Sequence, residues 1–255
     1  MSNKTKKNVS SSKNNSLLIY GKHPVEAAVR NKRRLISQVL VCSESAEFVK
    51  KLLSDNHRTS TQLNIVQRKE IDKLLPPDAV HQGVVAFSQP LDWGAFEDFY
   101  EILAQKESAK VLVLDQVTDP QNIGAIIRSC AAFNADALIV QDKNSPQETA
   151  AMIKASAGTI ELVPVLRVVN LTRALEQLQK IDFWVLGMDG KAQMTLDKIK
   201  KPSKVALVMG SEGSGMRRLV QEACDEIVKL PINPLVESLN VSTAAAIALY
   251  EFSRE

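Results

Sequence analysis

The sequence LPINPLVESLNVS, residues 230–242, leads directly into an alanine-rich run at residues 243–252. Pro231 and Pro234 do not fit a helix interior, because proline fixes φ, removes a backbone donor and biases the preceding residue toward extended geometry. The stretch therefore predicts a rigid loop that delivers residues 238–240 to the start of a helix. Ser238 and Asn240 are both suited to cap that helix, next to its free N–H groups and positive dipole end. Taken alone, the segment indicates a capped helix.

Composition limits the classes to which the chain can belong. Its 255 residues can bury the core of one large domain or two smaller ones. No apolar run approaches the roughly 20 residues that span a bilayer, and the N-terminal lysines lack the apolar segment of a secretory signal. The three cysteines and three histidines are scattered, which excludes a disulfide framework and argues against a metal site. The sequence therefore predicts a cytoplasmic protein without a membrane or metal partner.

The net charge of +3 is concentrated at the N-terminus, since residues 1–16 contribute +4 and all later residues together −1. That segment consists mainly of lysine, serine and asparagine, so we expect a disordered basic tail, with weak phosphate contacts as the alternative. Any affinity for nucleic acid must then come from local patches. One such patch, which is either a solvated turn or an RNA contact, comprises Arg30, Lys32, Arg33 and Arg34.

Short apolar runs alternate with amphipathic stretches from residue 17 onward, which predicts an α/β protein. Residues 17–88 form a first compact unit, with strands expected at 17–20, 38–42, 63–67 and 83–88 and helices at 24–30, 47–53 and 69–75. Residues 89–94, QPLDWG, break the pattern and are predicted to be a linker.

The second unit, residues 95–255, is predicted to be a mostly parallel sheet with helices on both faces. Its expected strands are 111–114, 137–140, 161–165, 183–187, 205–209 and 226–230. A capping box, Ser145-Pro146-Gln147-Glu148, is expected to open a helix that runs to residue 156. The other expected helices are 123–133, 171–179, 216–223 and 241–252.

Ligands in open α/β sheets bind beyond the carboxyl ends of strands, and three such loops carry unusual residues. In the first, residues 115–124, Gly124 lies one turn before Arg128, and we expect it to leave space over the guanidinium for a phosphate or another chain. A structural ion pair is the alternative role for this arginine. The second loop, GSEGSG at 210–215, is either a ligand-binding loop or a plain turn. The third is residues 230–242.

Three motifs, in this order along the chain, resemble those of SpoU-type RNA ribose 2′-O-methyltransferases in the SPOUT superfamily. They are N-I-G-x-x-x-R at 122–128, M-G-x-E-G-x-G-M at 209–216 and E-S-L-N-V-S at 237–242. The first unit, with YGxHPVEA at 20–27 and HQGV at 81–84, is similar to the family's substrate-binding domain, which resembles small RNA-binding ribosomal proteins. The resemblance implies a deep C-terminal trefoil knot and a homodimer whose site borrows from the partner.

The activity implied by the resemblance is methyl transfer from S-adenosylmethionine to a ribose 2′-hydroxyl of RNA. Within the family, the layout is most similar to members that act on a guanosine of large-subunit (23S) rRNA. Two alternatives stay open, a tRNA ribose 2′-O-methyltransferase and a non-catalytic RNA-binding ribosome-assembly protein. A nicotinamide oxidoreductase is more distant, because the dinucleotide fingerprint is missing.

The resemblance also assigns candidate site residues. It implies catalytic roles for Arg128, Asn122, Glu212, Ser238 and Asn240, and cofactor contacts for Met209, Gly210, Leu230, Ile232 and Leu239. The family describes the arginine as a proton acceptor. Because a guanidinium stays protonated in proteins, our hypothesis is a phosphate clamp that also stabilises the developing 2′-alkoxide. The sequence departs from the family at Asn233-Pro234, where a small flexible pair is common, so the geometry of that loop is open.

Overall fold

The computed structural model of the chain describes residues 16–143 and 145–254. The predicted basic tail, residues 1–16, therefore lies outside the described residues except for Ser16. Within the described part, the strands form two sheets, one from an N-terminal unit before residue 89 and one from a C-terminal unit after residue 94. The boundaries predicted for the tail, domains and linker stay predictions.

The N-terminal unit contains a mixed sheet and three helices. Its strands are β1 (Leu17–Tyr20), β2 (Ile36–Val41), β3 (Gln62–Ile65) and β4 (Val84–Ser88), and its helices are α1 (Lys22–Arg30), α2 (Ser43–Asp55) and α3 (Arg68–Asp72). The strand order is β1-β4-β2-β3, in which β4 is antiparallel to both neighbours and β2 is parallel to β3. The predicted strands of this unit are all confirmed, with ends shifted by at most two residues.

The C-terminal unit contains a larger sheet flanked by helices. Its strands are β5 (Ala109–Leu114), β6 (Ala137–Gln141), β7 (Val165–Val168), β8 (Trp184–Met188), β9 (Met194–Thr195), β10 (Lys204–Met209) and β11 (Glu226–Lys229). Its helices are α4 (Phe96–Ala104), α5 (Pro120–Ala132), α6 (Ala150–Ser156), α7 (Leu171–Gln179), α8 (Arg218–Glu222) and α9 (Val241–Glu251). Short 3-10 helices occupy Thr159–Glu161 and Leu196–Lys198.

The strand order of the larger sheet is β7-β6-β5-β10-β8-β11-β9, and each neighbouring pair is parallel. Two strands far apart in sequence, β5 and β10, therefore lie side by side near its centre. Every residue of β10 is buried, as expected of a strand covered on both faces by helices. The predicted parallel α/β sheet is confirmed, whereas the trefoil knot stays a prediction.

The start predicted for α6 is wrong. The helix begins at Ala150, and its cap is Thr149, whose hydroxyl accepts a hydrogen bond from the Met152 backbone. Glu148 does not close a capping box, because its carboxylate binds Arg34 of the N-terminal unit and the backbone N–H of Leu91. A long-range ion pair therefore replaces the local cap that the sequence favours.

The strand predicted at residues 161–165 is also misplaced. Ala157 and Gly158 adopt left-handed backbone angles, φ 51° and 87°, and turn the chain into the 3-10 helix that ends at Glu161. The strand begins only after Pro164, whose carbonyl accepts a hydrogen bond from the Leu138 backbone. Helix α4 was not predicted, although its buried Phe96 and Leu103 anchor it to the core. None of the helices in the described part has the length and apolar character that crossing a bilayer requires.

Candidate active site

Two of the three strand-end loops begin next to each other because β5 and β10 are neighbours. Leu114 and Met209, the last residues of these strands, are paired in register. The backbone N–H of Asp115 then donates to the Met209 carbonyl at 2.8 Å, which extends the pairing beyond the strands. The sheet thus delivers loop 115–119 and loop 210–215 to one point of its carboxyl edge.

A hydrogen-bond network joins all three loops at that edge. Glu212 Oε1 accepts from Asn122 Nδ2 at 3.1 Å, from Asn240 Nδ2 at 2.9 Å and from the Val241 backbone N–H at 3.3 Å. Asn240 Nδ2 also donates to Asn122 Oδ1 at 2.9 Å. Asn122, Glu212 and Asn240, which we call the loop network, are therefore in direct mutual contact although they lie far apart in sequence.

Helix caps fix the orientation of both asparagines. Asp119 caps α5, and its carboxylate accepts from the backbone N–H groups of Gln121 and Asn122 at 3.2 and 3.1 Å. Asn240 caps α9, as predicted, and its Oδ1 accepts from the Ser242 backbone at 2.8 Å. With its oxygen held by the helix, the Asn240 amide nitrogen must point toward Glu212. The cap of α5 thus positions Asn122 in the loop network, and the cap of α9 positions Asn240.

The glycine loop closes on itself around Glu212. Ser211 and Gly215 exchange backbone hydrogen bonds of 3.1 and 3.0 Å, so residues 211–215 form a small hairpin. A Cβ on Gly210 would lie 2.3 Å from the Gly215 carbonyl carbon and from the Met216 nitrogen. The absence of a side chain at Gly210 therefore lets the loop pack closely against itself. Gly213 has φ 87°, which L-residues with a side chain rarely adopt.

A buried carboxylate that the sequence reasoning missed ties the first two loops together. Asp115 is 0% exposed, and its two oxygens accept from Nε and the backbone N–H of Arg217, each at 2.8 Å. Gln116, the next residue, has a positive φ of 60°. A carboxylate directly after a fully buried strand needs a hydrogen-bonding partner. The position of Asp115 directly after β5 was therefore the sequence signal that could have identified it.

Arg128 lies apart from the loop network within this chain. Its side chain is exposed and forms no hydrogen bond or ion pair with any residue of 16–143 or 145–254. It lies six positions after Asn122 on α5, which places it about 9 Å further along the helix axis. The ion pair that was one alternative for this arginine is therefore not formed within the described chain.

The prediction that Gly124 leaves open space above Arg128 is wrong. A Cβ on Gly124 would lie 2.5 Å from the Met152 carbonyl oxygen and 2.6 Å from Ala155 Cβ. Helix α6 therefore occupies that space, and the glycine permits close packing of α5 against α6. This packing fixes the helix that carries Asn122.

Gly124→Ala tests that packing. A methyl group at this position must displace backbone of α6, so we expect a loss of about 1–3 kcal/mol in the free energy of unfolding. Ala125→Gly, at the half-buried neighbouring position, gives the ordinary cost of glycine in a helix, roughly 1 kcal/mol, for comparison. Urea unfolding of the two variants measures both values, and a Gly124→Ala protein as stable as the parent would contradict the packing role.

The third loop reaches the network from a more distant strand. Leu230 follows β11, which is separated from β10 by β8, so the loop must cross about 10 Å of sheet before Asn240 meets Glu212. Asn233 organises it, because its Oδ1 accepts from the Leu235 backbone at 2.9 Å and its carbonyl from the Val236 backbone at 2.9 Å. Asn233 and Pro234, where the sequence departs from the family, therefore belong to an ordered turn.

The residues predicted to bind the cofactor lie at this carboxyl edge of the sheet and differ in their solvent exposure. Met209 is buried at the end of β10 and Gly210 follows it, whereas Leu230 and Leu239 are half-buried and Ile232 is exposed. Ser238 is exposed as well, and its hydroxyl forms no hydrogen bond in the described part of the chain. Half-exposed apolar side chains on a loop can accept a flat, partly apolar ligand.

The cysteines near the site cannot act as bases at neutral pH. Burial raises the pKa of the Cys130 thiol, on α5, to about 12. Burial, together with nearby Asp225 and Asp115, raises the pKa of the Cys224 thiol to about 12. Residues 16–143 and 145–254 contain no cluster of three or more histidine, cysteine or acidic side chains that could bind a metal ion.

The basic cluster of the N-terminal unit is divided by burial. Arg30, Lys32 and Arg33 are exposed. Arg34 is 0% exposed and forms ion pairs of 2.6 Å with both Glu148 and Glu161. Its guanidinium cannot reach an RNA phosphate, so the prediction of an RNA contact is wrong for Arg34. Burial raises the pKa of the Glu161 carboxyl, and the neighbouring guanidinium opposes that shift.

Two family models match the chain. The model described as the SpoU rRNA Methylase family matches residues 109–250, and that for RNA 2′-O ribose methyltransferase substrate binding matches residues 18–93. The 23S rRNA (guanosine-2′-O-)-methyltransferase RlmB of Pasteurella multocida is 39% identical over 239 residues, 93% of this chain and 97% of its own length. The enzyme of the same name from Escherichia coli K12 is 37% identical over 243 residues, 94% and 99% of the two chains.

Solved structures share the fold. The SpoU methyltransferase AviRb from Streptomyces viridochromogenes, crystallised with AdoMet, has a TM-score of 0.78 at 22% identity over 93% of this chain and 89% of its own. An AdoMet-bound rRNA methyltransferase from Sinorhizobium meliloti has a TM-score of 0.78 at 20% identity, with 93% and 86% of the chains covered. The arrangement of both sheets thus recurs in known structures.

Proposed function

Because the chain belongs to the SpoU rRNA methylase family, we propose that it transfers a methyl group from S-adenosylmethionine to the ribose 2′-hydroxyl of a guanosine in 23S rRNA. The observation that carries the proposal is the loop network, in which Asn122, Glu212 and Asn240 from the three motifs are in direct contact. An rRNA substrate is consistent with the cytoplasmic location predicted from the sequence.

The chemistry of the third loop fits the proposed cofactor. When bound, S-adenosylmethionine supplies a methyl carbon activated by its sulfonium sulfur. Leu230, Ile232 and Leu239 offer apolar side chains to its adenine ring, and backbone groups near these residues, Met209 and Gly210 are proposed to hold the cofactor. Apolar side chains that a loop leaves half-exposed are suited to cover such a ring.

In the proposed mechanism the chain acts mainly by positioning. Holding donor and acceptor in line can supply about 7–11 kcal/mol, more than the 10²–10⁴-fold of a single general base. The loop network holds the third loop against the other two, and Ser238, two residues before Asn240, is proposed to contact the ribose. Arg128 stays protonated, so the proton that the 2′-hydroxyl loses during methyl transfer is proposed to pass to water. The arginine is proposed to clamp a phosphate and stabilise the negative charge that develops on the 2′-oxygen.

We propose that Arg128 reaches the active site across a homodimer. Its exposed position, about 9 Å along α5 from Asn122, leaves it free to enter the site of a second subunit. Helix α9 packs against α5, and its Ile247 and Tyr250 are 41% and 53% exposed. Exposed apolar side chains on a helix that packs against α5 support an interface on this side of the molecule.

The RNA is proposed to contact Arg30, Lys32 and Arg33 of the N-terminal unit. These residues are exposed near the loop between α1 and β2, and the Arg33 guanidinium lies 5.5 Å from the ring centroid of Trp93 in the linker. Their charges suit RNA phosphates. Arg34 is excluded from this surface because it is buried.

Ribose-methylation mapping of RNA from cells with and without the protein tests the proposed substrate. We expect one guanosine of 23S rRNA to lose its 2′-O-methyl group when the protein is absent, and to regain it when the wild-type gene is restored. Loss of a tRNA methyl group with 23S rRNA unchanged would instead support the tRNA alternative and refute the proposed substrate.

A further inference from the structure

A buried ion cluster joins the N-terminal unit to the C-terminal unit. Arg34 Nη2 lies 2.6 Å from Glu148 Oε1 and 2.6 Å from Glu161 Oε1, and Arg34 Nε donates to Glu161 Oε1 at 3.0 Å. The arginine side chain is 0% exposed and those of Glu148 and Glu161 are 9% and 2% exposed. Charges so far removed from water remain in place only because each is paired.

The same cluster binds the linker on both sides of Pro90. Arg34 Nη1 donates to the Gln89 carbonyl at 2.9 Å, and the Leu91 backbone N–H donates to Glu148 Oε2 at 2.8 Å. The linker is therefore hydrogen-bonded to both units.

The loop that presents Arg34 is held from within its own unit. The Arg58 guanidinium donates to the carbonyls of Val29 and Arg34 at 2.9 and 3.1 Å, and Asn31 Nδ2 donates to Glu161 Oε2 at 2.8 Å. The loop between α1 and β2 is thus tied to its own unit by one arginine and to the C-terminal unit by another.

The cluster is connected structurally to the helix that carries Asn122. Glu148 lies two residues before the start of α6, and α6 packs against α5 at Gly124. A cavity beside the cluster is lined by Leu91, Trp93, Glu148, Arg167 and Ile123, the last of which follows Asn122 in α5. A change in the cluster would therefore act on elements that adjoin the active site.

We propose that Arg34 is a positioning residue that holds the N-terminal unit and linker in one orientation, so that RNA bound to Arg30, Lys32 and Arg33 presents its ribose to the active site. This inference rests on the proposed function. Arg34 itself does not touch RNA, because its guanidinium is fully enclosed by Glu148, Glu161 and the Gln89 carbonyl. Its loss should therefore reduce turnover while RNA binding is retained.

Three variants of the cluster separate orientation from folding. Arg34→Met leaves two unpaired buried carboxylates and is expected to lower the Tm, so the triple variant Arg34→Met, Glu148→Gln, Glu161→Gln removes the charges together. In the triple variant we expect the kcat for 23S rRNA to fall at least about tenfold, while the Kd values for RNA and S-adenosylmethionine change less than about threefold. Arg34→Lys keeps the positive charge but lacks the planar guanidinium that can bind two carboxylates at once. Its kcat should lie between those of the triple variant and wild type.

Proteolysis of the linker provides a structural measurement beside the kinetics, and further single variants serve as controls. Chymotrypsin is expected to cleave after Trp93 faster in the triple variant than in wild type. Arg68→Met, at an exposed arginine that pairs with Glu44 at 2.8 Å, should leave all readouts unchanged. Lys32→Ala, by contrast, should raise the Kd for RNA.

The possible outcomes distinguish this inference from the proposed function. A triple variant that retains wild-type kcat on rRNA would overturn the positioning role, as would equal protection of the linker in both proteins. A wild-type protein that methylates no RNA would refute the proposed function, whereas accelerated cleavage of the linker in the triple variant would still support the orienting role of the cluster.

Discussion

Replacing Arg128 with alanine is expected to lower the kcat of methyl transfer by about 10²–10³-fold, the usual effect of removing a group that stabilises developing negative charge. The Tm should remain at the wild-type value, because the Arg128 side chain is exposed and forms no hydrogen bond or ion pair in the described parts of the chain. The Kd for S-adenosylmethionine, measured by calorimetry, should also be unchanged. The loss would therefore appear in turnover alone.

Two further variants sharpen this prediction. Arg173→Ala removes another exposed helical arginine, on α7, and is expected to have no effect on turnover. Arg128→Lys keeps the positive charge but cannot bind a phosphate in the bidentate manner of a guanidinium, so it should recover only a small part of the activity. Full activity in the lysine variant would contradict the clamp.

Replacing Glu212 with alanine is expected to lower the kcat by about 10²-fold, because a displacement of the reacting groups by roughly 1 Å is enough for a loss of that size. Glu212 Oε1 is the common acceptor for Asn122, Asn240 and Val241, so the variant releases the third loop from the other two. Steady-state kinetics at saturating cofactor measures the effect. The side chain is exposed, so water replaces the lost hydrogen bonds and the Tm should change little.

The conservative variant and a nearby carboxylate provide the controls for Glu212. Glu212→Gln retains an acceptor oxygen and is expected to keep more activity than alanine, though less than wild type, since hydrogen bonds to a charged acceptor are stronger. Glu222→Ala removes a carboxylate on α8 that pairs with Arg218 at 3.0 Å, and it should leave kcat unchanged. Equal loss in the glutamine and alanine variants would point to catalysis by the carboxylate charge itself.

Mixing the two inactive proteins tests the proposed dimer. If Arg128 enters the partner's site, a heterodimer of Arg128→Ala with Glu212→Ala contains one fully intact site. Refolding the variants together at equal concentration should then restore about a quarter of the wild-type activity, since half of the dimers are mixed and each has one intact site. If each site were built from a single chain, no activity would return.

Local sequence patterns predicted the strands well where burial dominates. The continuous apolar runs of β5, β6 and β10 are typical of central parallel strands, and Asn170 marks the start of α7 by its cap. Asn122 and Glu212 were identified only through the resemblance to the SpoU motifs, whereas Asn240 was predicted from the residues alone, as a helix cap. Composition and spacing carry no information that Glu212 and Asn240 are hydrogen-bonded across 28 residues of chain.

The errors arose where a long-range contact decides local structure. The capping box at residues 145–148 was plausible, but the partner of Glu148 is an arginine 114 residues away. Gly124 was predicted to leave open space for a ligand because the sequence does not show that Met152, on another helix, packs against it. Arg34 was grouped with its basic neighbours because sequence does not reveal which member of a cluster is enclosed by carboxylates.

The most direct test of the central claim is methyl transfer by the purified protein. Unmodified 23S rRNA is incubated with S-adenosylmethionine carrying a tritiated methyl group, and the RNA is then digested to nucleosides and separated. We predict label in 2′-O-methylguanosine with the wild-type protein and a loss of at least about 10²-fold with Arg128→Ala. Label on a nucleobase, or no label from a protein that binds both cofactor and RNA, would contradict the account.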